Sequence, residues 1–214
     1  MEADRTNIVL TGFMGTGKTT VGRELAARSG RTFVDLDEEI VKVHGPIADV
    51  FAEGGEDLFR ELEREAVAKV SPQRNLVIAT GGGTLLDEDN VVSLLGSEIY
   101  TLTASPTAIA ERITAEGISS RPLLAEADDI DEEIQRLLDE RKGVYERFPT
   151  IDTTNKSIDE IVTSIGDAGA DISAPVSSSA LAATGRDSRE IVLYGIIALL
   201  TVLAIAIFIV LLSF

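Results

Sequence analysis

One eight-residue run constrains the fold of this chain more than any other feature: Gly12-Phe13-Met14-Gly15-Thr16-Gly17-Lys18-Thr19. It is a complete G-x-x-x-x-G-K-[ST] loop, set between the apolar segment Asn7 to Leu10 and a helical pattern from Lys18 to Arg28. Its glycines let the backbone curl so that successive N–H groups and the positive end of a helix converge on phosphate oxygens. Met14, Gly15, Thr16 and Gly17 then form the cradle, Lys18 reaches the β- and γ-phosphates, and the Thr19 hydroxyl is placed to ligate Mg²⁺. The geometry requires a buried strand before the loop and a helix after it, so the chain must be built from strand–helix units. The loop alone leaves open whether a phosphoryl group is transferred, a partner is switched, or nucleotide is merely held.

The rest of the sequence supplies those units. Thr32 to Leu36, Leu76 to Thr80 and Ile99 to Thr103 read as further buried strands, and a weaker fifth lies near Ile151. Helical patterns fill the gaps over 59–70, 90–95, 106–115, 130–147 and 158–164. Strands separated by helices make right-handed crossovers, so the expected class is α/β: a five-stranded parallel sheet with helices on both faces. Ligands of such sheets bind at the carboxyl ends of the strands.

Composition narrows the chemistry. The 214 residues include 19 basic and 36 acidic side chains, a net charge of −17, which excludes a nucleic-acid binder that works by neutralising phosphates. With no Cys, disulfides, thiolate metal sites and a Cys nucleophile are excluded, and a single His leaves no His-rich metal cluster or Ser-His-Asp triad with a choice of base. The lone His44, beside Gly45-Pro46, reads as a turn or surface residue.

Mean hydropathy is +0.17 although 26% of residues are charged. The apolar residues must therefore be concentrated, and from Ile191 to Phe214 only Gly195, Thr201 and Ser213 fall outside the apolar set. About 20 such residues cross a ~30 Å hydrocarbon core, so residues 190–213 are expected to form a single transmembrane helix. Arg186 and Arg189 just before it place the preceding chain on the cytoplasmic side, with the lipid bilayer as a partner. Residues 166–189, rich in small and polar side chains, read as a flexible linker. Residues 1–165 form the globular domain, and its 17 basic and 32 acidic residues carry nearly all of the charge.

The strand ends carry the candidate site. Asp35 and Asp37 follow the second strand: Asp35 is placed to hold a water on Mg²⁺, and Asp37 to accept a hydrogen bond from an attacking hydroxyl or to cap a helix. Arg60 and Glu63 stand at i, i+3, where the carboxylate can fix the guanidinium for an anionic ligand, or simply pair with it on a solvated face. Gly81-Gly82-Gly83 ends the third strand, the mark of a backbone brought close to a ligand or of a plain turn. Arg121, in Ser119-Ser120-Arg121-Pro122-Leu123-Leu124, sits where a mobile segment can close over a nucleotide. Arg141 and Tyr145 are neighbours at i, i+4, and Arg141 is a second candidate for an anionic acceptor or a partner for nearby acids.

Taken in order, GFMGTGKTTVGRELA, DLDEEI, IADVFAEGGEDLFRELE, ATGGGTLL, RPLL and RKGVY resemble the shikimate kinase family of the P-loop, nucleoside-monophosphate-kinase-like group. The resemblance covers residues 7 to about 160. It implies a three-layer P-loop kinase fold with a mobile lid, ATP as co-substrate, Mg²⁺, and phosphorylation of the 3-hydroxyl of shikimate. It also implies that Arg60 and Arg141 clamp the shikimate carboxylate, and that Asp37 and the Gly81 to Gly83 backbone hold its hydroxyls. Lys18, Asp37 and Arg121 would then be the catalytic residues, with Lys156 near the adenine. The domain is expected to be monomeric. Three features depart from the family: no basic residue between Ile113 and Ser120, Pro149 four residues after Tyr145, and the apolar tail. The alternatives are a related small-molecule kinase such as a gluconate kinase, and a membrane-tethered nucleotide-binding regulator without turnover.

Overall fold

A computed structural model describes residues 6–117, 122–125 and 129–171, which belong to one compact unit, Met1–Ser173. Its sheet has five parallel strands: β1 (Ile8–Thr11), β2 (Thr32–Asp35), β3 (Leu76–Ala79), β4 (Glu98–Thr103) and β5 (Thr150–Asp152). Their spatial order is β2-β3-β1-β4-β5. The helices are α1 (Lys18–Ser29), α2 (Leu36–His44), α3 (Ile47–Val70), α4 (Glu88–Ser93), α5 (Pro106–Glu116), α6 (Pro122–Ala125), α7 (Ile130–Tyr145) and α8 (Ile158–Asp171).

The strands form because they are short apolar runs that can be covered on both faces, and alternate residues feed alternate layers. Val9, Ile78 and Ile99 point to the side packed by α2, α3 and α4, where Leu36, Ile40, Phe59, Leu62 and Val67 close the core. Ile8, Leu10, Val77, Tyr100 and Leu102 point to the other side, against Val21 and Leu25 of α1 and Ile161 and Ile165 of α8. A third cluster, Phe13, Ile109, Ile113, Leu124, Ile134, Leu137 and Tyr145, fills the space between the phosphate loop, α5 and α7. β1 occupies the centre of the sheet, flanked by β3 and β4. The chain therefore reverses its winding at β1, and this opens a crevice at its carboxyl end.

The expected five strands are all present, each within a residue or two of its expected bounds. The helices on the β2 side differ more. The segment after β2 forms a separate helix, α2, and α3 begins twelve residues before the expected Phe59, interrupted by non-helical Gly55. At the C-terminal side α8 continues to Asp171, across the boundary expected at residue 165, because Ala168 extends the stripe of Ile161 and Ile165 onto the sheet. The lid residue Arg121, the remainder of the expected linker and the whole apolar segment 190–213 lie outside the described residues. Among the described residues, no helix is long and apolar enough to cross a membrane.

Candidate active site

The loop after β1 is shaped by tight packing. A Cβ on Gly12 would lie 2.1 Å from the Leu102 carbonyl oxygen of β4, and its φ of 131° is one that side-chain-bearing residues rarely adopt. Phe13 is buried beneath the loop, and the Thr16 hydroxyl donates to the Phe13 carbonyl at 2.7 Å. The ammonium of Lys18 donates to the carbonyls of Gly12 and Phe13, both at 2.9 Å. Met14, Gly15, Gly17, Lys18, Thr19, Asp35, Asp37 and Gly82 line one depression, so the loop residues and the two carboxylates expected beside them share a site.

The Thr19 hydroxyl donates to Asp35 Oδ2 at 2.7 Å. The other carboxylate oxygen of Asp35 accepts from the N–H groups of Asp37 (3.0 Å) and Glu38 (3.4 Å), so Asp35 is the N-cap of α2. The cap reading offered for Asp37 is thereby corrected: Asp35 is the cap, and Asp37 sits inside the first turn of α2. A hydroxyl and a carboxylate at this distance make an all-oxygen pair of the kind Mg²⁺ takes while keeping most of its waters. Among the described residues no group of three His, Cys, Asp or Glu would displace those waters. The Thr19 and Asp35 pair thus fits the ion.

A second depression adjoins the first. It is lined by Arg60, Arg141, Asp37, Gly81, Gly82, Gly83 and Met14, with apolar walls from Ile47, Phe51, Phe59 and Leu123. Met14, Asp37 and Gly82 line both depressions. Arg60 is held on two sides. Nε and Nη2 donate to Glu56 Oε1 at 3.1 and 2.6 Å, and Nη1 donates to Glu63. Glu63 is fully buried and also accepts from the Thr84 hydroxyl at 2.5 Å. The Arg60 side chain is 18% exposed, which disposes of the solvated-face alternative. Burial opposes its charge most strongly, yet the guanidinium pKa is raised by Glu63 and Glu56, so it is a permanent cation.

Arg141 is different. It is 5% exposed, and among the described residues it forms no ion pair with any carboxylate; its guanidinium lies 5.7 Å from the Phe13 ring. The alternative of a pairing with neighbouring acids is not met among the described residues: Glu133 and Glu140 of α7 engage Arg136, and Asp139 accepts from Gln135. A buried cation without a counter-ion is costly unless a ligand supplies one.

Two of the three consecutive glycines are explained by side chains of the site itself. A Cβ on Gly81 would lie 2.5 Å from Glu63 Oε1 and 2.8 Å from Asp37 Oδ1, and one on Gly83 would lie 2.5 Å from both terminal nitrogens of Arg60. Gly82 has room, its nearest neighbours being Met14 N at 3.5 Å and Arg141 Nη1 at 3.6 Å. Lys156 is exposed on the loop after β5, where its N–H reaches the Thr153 carbonyl at 3.5 Å.

Sequence reasoning gave no role to Glu56, and counted Arg112 only as a basic residue available near the lid, whereas it ties the phosphate loop to the loop after β5. Arg112 donates to Gly15 O (3.1 Å), Thr153 Oγ1 (3.0 Å) and Thr153 O (2.8 Å). These partners are 97 and 41 residues away, a separation at which local pattern carries no signal. Glu56 had one: it stands at i, i+4 to Arg60.

A phosphate loop at a central strand of a parallel sheet, opening beside a cavity with two guanidinium groups and a carboxylate, defines a P-loop phosphotransferase acting on an anionic acceptor. Comparison with known proteins sharpens the class. The model of the shikimate kinase family matches residues 14–168, and the chain belongs to that family. A shikimate kinase of Caldanaerobacter subterraneus is 44% identical over 163 residues, covering 74% of this chain and 93% of that one. One of Pelotomaculum thermopropionicum is 46% identical over 162 residues, covering 74% and 92%. The solved shikimate kinase of Acinetobacter baumannii in complex with shikimate has a TM-score of 0.74 at 31% identity, covering 79% of this chain and 95% of that one. A gluconokinase of Sinorhizobium meliloti, at 18% identity and a TM-score of 0.52, shares the fold alone.

Proposed function

We propose that the chain transfers the γ-phosphoryl group of ATP to the 3-hydroxyl of shikimate, giving ADP and shikimate 3-phosphate. The observation that carries this reading is Arg141, a buried guanidinium with no carboxylate partner among the described residues, in the same cavity as Arg60. Two cations facing one cavity suit a carboxylated acceptor, and the apolar walls of Ile47, Phe51 and Phe59 suit a ring. Membership of the shikimate kinase family supports the same acceptor.

In this reading the loop N–H groups and Lys18 hold the β- and γ-phosphates. Thr19, directly, and Asp35, through a water, hold Mg²⁺, which when bound neutralises charge on the phosphate oxygens. Arg60 and Arg141 bind the carboxylate. Asp37 and the turn from Gly81 to Gly83 hold the hydroxyls, and Arg121 closes on the nucleotide while Lys156 lies near the adenine. The acceptor oxygen attacks the γ-phosphorus, the bond to the ADP oxygen breaks, and the hydroxyl proton passes to Asp37. Because Asp37 lines both depressions, it stands where acceptor and phosphate meet. Catalysis is mainly positioning and charge stabilisation.

ADP release by the full chain in detergent should depend on shikimate and not on gluconate. Arg60→Ala should raise the shikimate KM by about two orders of magnitude, the loss of a charge-assisted bidentate contact, with the ATP KM nearly unchanged. Unaltered shikimate kinetics in that variant, or turnover with gluconate alone, would overturn the assignment.

The domain, which includes α8 to Asp171, is proposed to act as a monomer, tethered through the rest of the expected linker to a bilayer by a helix over 190–213, with the kinase on the cytoplasmic side. The support is the charge-free apolar run after Glu190 and the arginines preceding it.

A further inference from the structure

Tyr145 ends α7 one turn after Arg141 and is 7% exposed. Its phenol donates a 2.6 Å hydrogen bond to the carbonyl oxygen of Gly82, the middle residue of the turn that lines the acceptor cavity. Burial pushes the phenol pKa up, against the opposing pull of Arg141 beside it, so it remains a donor at physiological pH. The other end of the residue is fixed as well, since the Tyr145 carbonyl accepts from the buried Thr101 hydroxyl of β4 at 2.8 Å.

The partner is a glycine peptide in the wall of the acceptor cavity. Gly82 has no side chain to hinder rotation about its own dihedrals, so its peptide turns over at little steric cost. In a planar trans peptide C=O and N–H point in opposite directions. A phenol that holds the Gly82 carbonyl on its own side therefore aims the N–H of Gly83 the other way. Gly83 is buried, and among the described residues its N–H donates to no protein acceptor. Buried N–H groups without a partner are rare, and one in a cavity wall beside Arg60 calls for a ligand oxygen.

We propose that Tyr145 is a positioning residue that locks the Gly82–Gly83 peptide so that the Gly83 N–H meets an oxygen of the acceptor. It acts through that peptide and touches neither substrate. The proposal rests on the acceptor reading given above.

The test uses the full chain in detergent, with Tyr145→Phe and the control Thr101→Val. The control removes the other hydrogen bond to Tyr145 and leaves the phenol on Gly82. Tyr145→Phe should raise the shikimate KM about tenfold, the worth of one misdirected hydrogen bond, with kcat and the ATP KM within about twofold of wild type. Thr101→Val should leave the shikimate KM within the same twofold. For one shikimate analogue lacking a single oxygen, the difference between wild type and Tyr145→Phe should vanish. In the wild type alone, the Gly83 amide proton should move downfield on saturation with shikimate. A static Gly83 resonance, an equal rise in both substrate KM values, or a matching effect of Thr101→Val would overturn the proposal. A wild type without shikimate turnover would instead overturn the acceptor reading itself.

Discussion

Gly81 and Gly83 show how differently one added methyl group acts at neighbouring positions. At Gly83 the new Cβ meets the guanidinium of Arg60, the far end of a flexible side chain that can shift within its pairings to Glu56 and Glu63 at little cost in stability. Gly83→Ala should therefore raise the shikimate KM at least tenfold while shifting the melting temperature by no more than about 2 °C. At Gly81 the Cβ meets Glu63, Asp37 and the Thr84 hydroxyl, and Glu63 is fully buried in a short hydrogen-bond network. Gly81→Ala should cost about 1–3 kcal/mol of stability, read as a lower denaturant midpoint. Equal effects on both readouts in the two variants would refute the distinction. This part of the site was legible because its chemistry is local: the loop, Asp35 with Asp37, and Arg60 with Glu63 each lie within a few residues. Whether the glycines served a ligand or a turn could not be read, because all the atoms they avoid except the Thr84 hydroxyl come from α2 and α3, 18 or more residues earlier in the chain.

At the scale of elements, α3 separates what periodicity reveals from what it hides. Its second half, from Phe59 to Val70, carries a regular apolar stripe and was expected; its first half was not, because Gly54 and Gly55 interrupt the pattern. Gly55 has φ 67° and ψ −161°, a conformation essentially closed to other residues. Nothing lies within 4 Å of a Cβ placed there, so backbone strain alone opposes substitution. The bend sets Ile47 and Phe51, from the first half, against the same cavity as Phe59 and Arg60 from the second. Gly55→Ala should cost about 1–3 kcal/mol in unfolding free energy and raise the shikimate KM more than the ATP KM, because straightening moves one apolar wall. Preserved stability together with unchanged shikimate affinity would show that the bend is incidental. The missed α2 has the same origin as the missed half of α3: Asp35 ends β2 and caps α2 with no loop between, leaving no turn residues to announce the change.

At the scale of the whole chain, an acidic domain is followed in sequence by the apolar run from Ile191 to Phe214. The net charge of −17 lies almost entirely in residues 1–165, and the mostly exposed ion pairs on that surface contribute at most about 1 kcal/mol each. The inner leaflet of a bilayer is itself anionic, so an acidic domain is repelled from it at separations up to a Debye length of about 8 Å. A tether of the kind proposed above would thus hold the kinase near a membrane without pressing it onto one. The site opens at the carboxyl ends of the strands, whereas α8 returns antiparallel to β5 and ends at their amino ends. There a Cβ on Gly169 would lie 3.2 Å from the Tyr100 hydroxyl and 3.4 Å from Glu98, the first residue of β4. The last described turn of α8 therefore lies at the end of the sheet remote from the acceptor cavity. Deleting residues 174–214 should move the protein from the membrane to the soluble fraction while leaving kcat and both KM values within about twofold. Full-length chain found wholly in the soluble fraction would refute the anchor. A deletion that changed the shikimate KM severalfold would show instead that residues 174–214 contribute to the site.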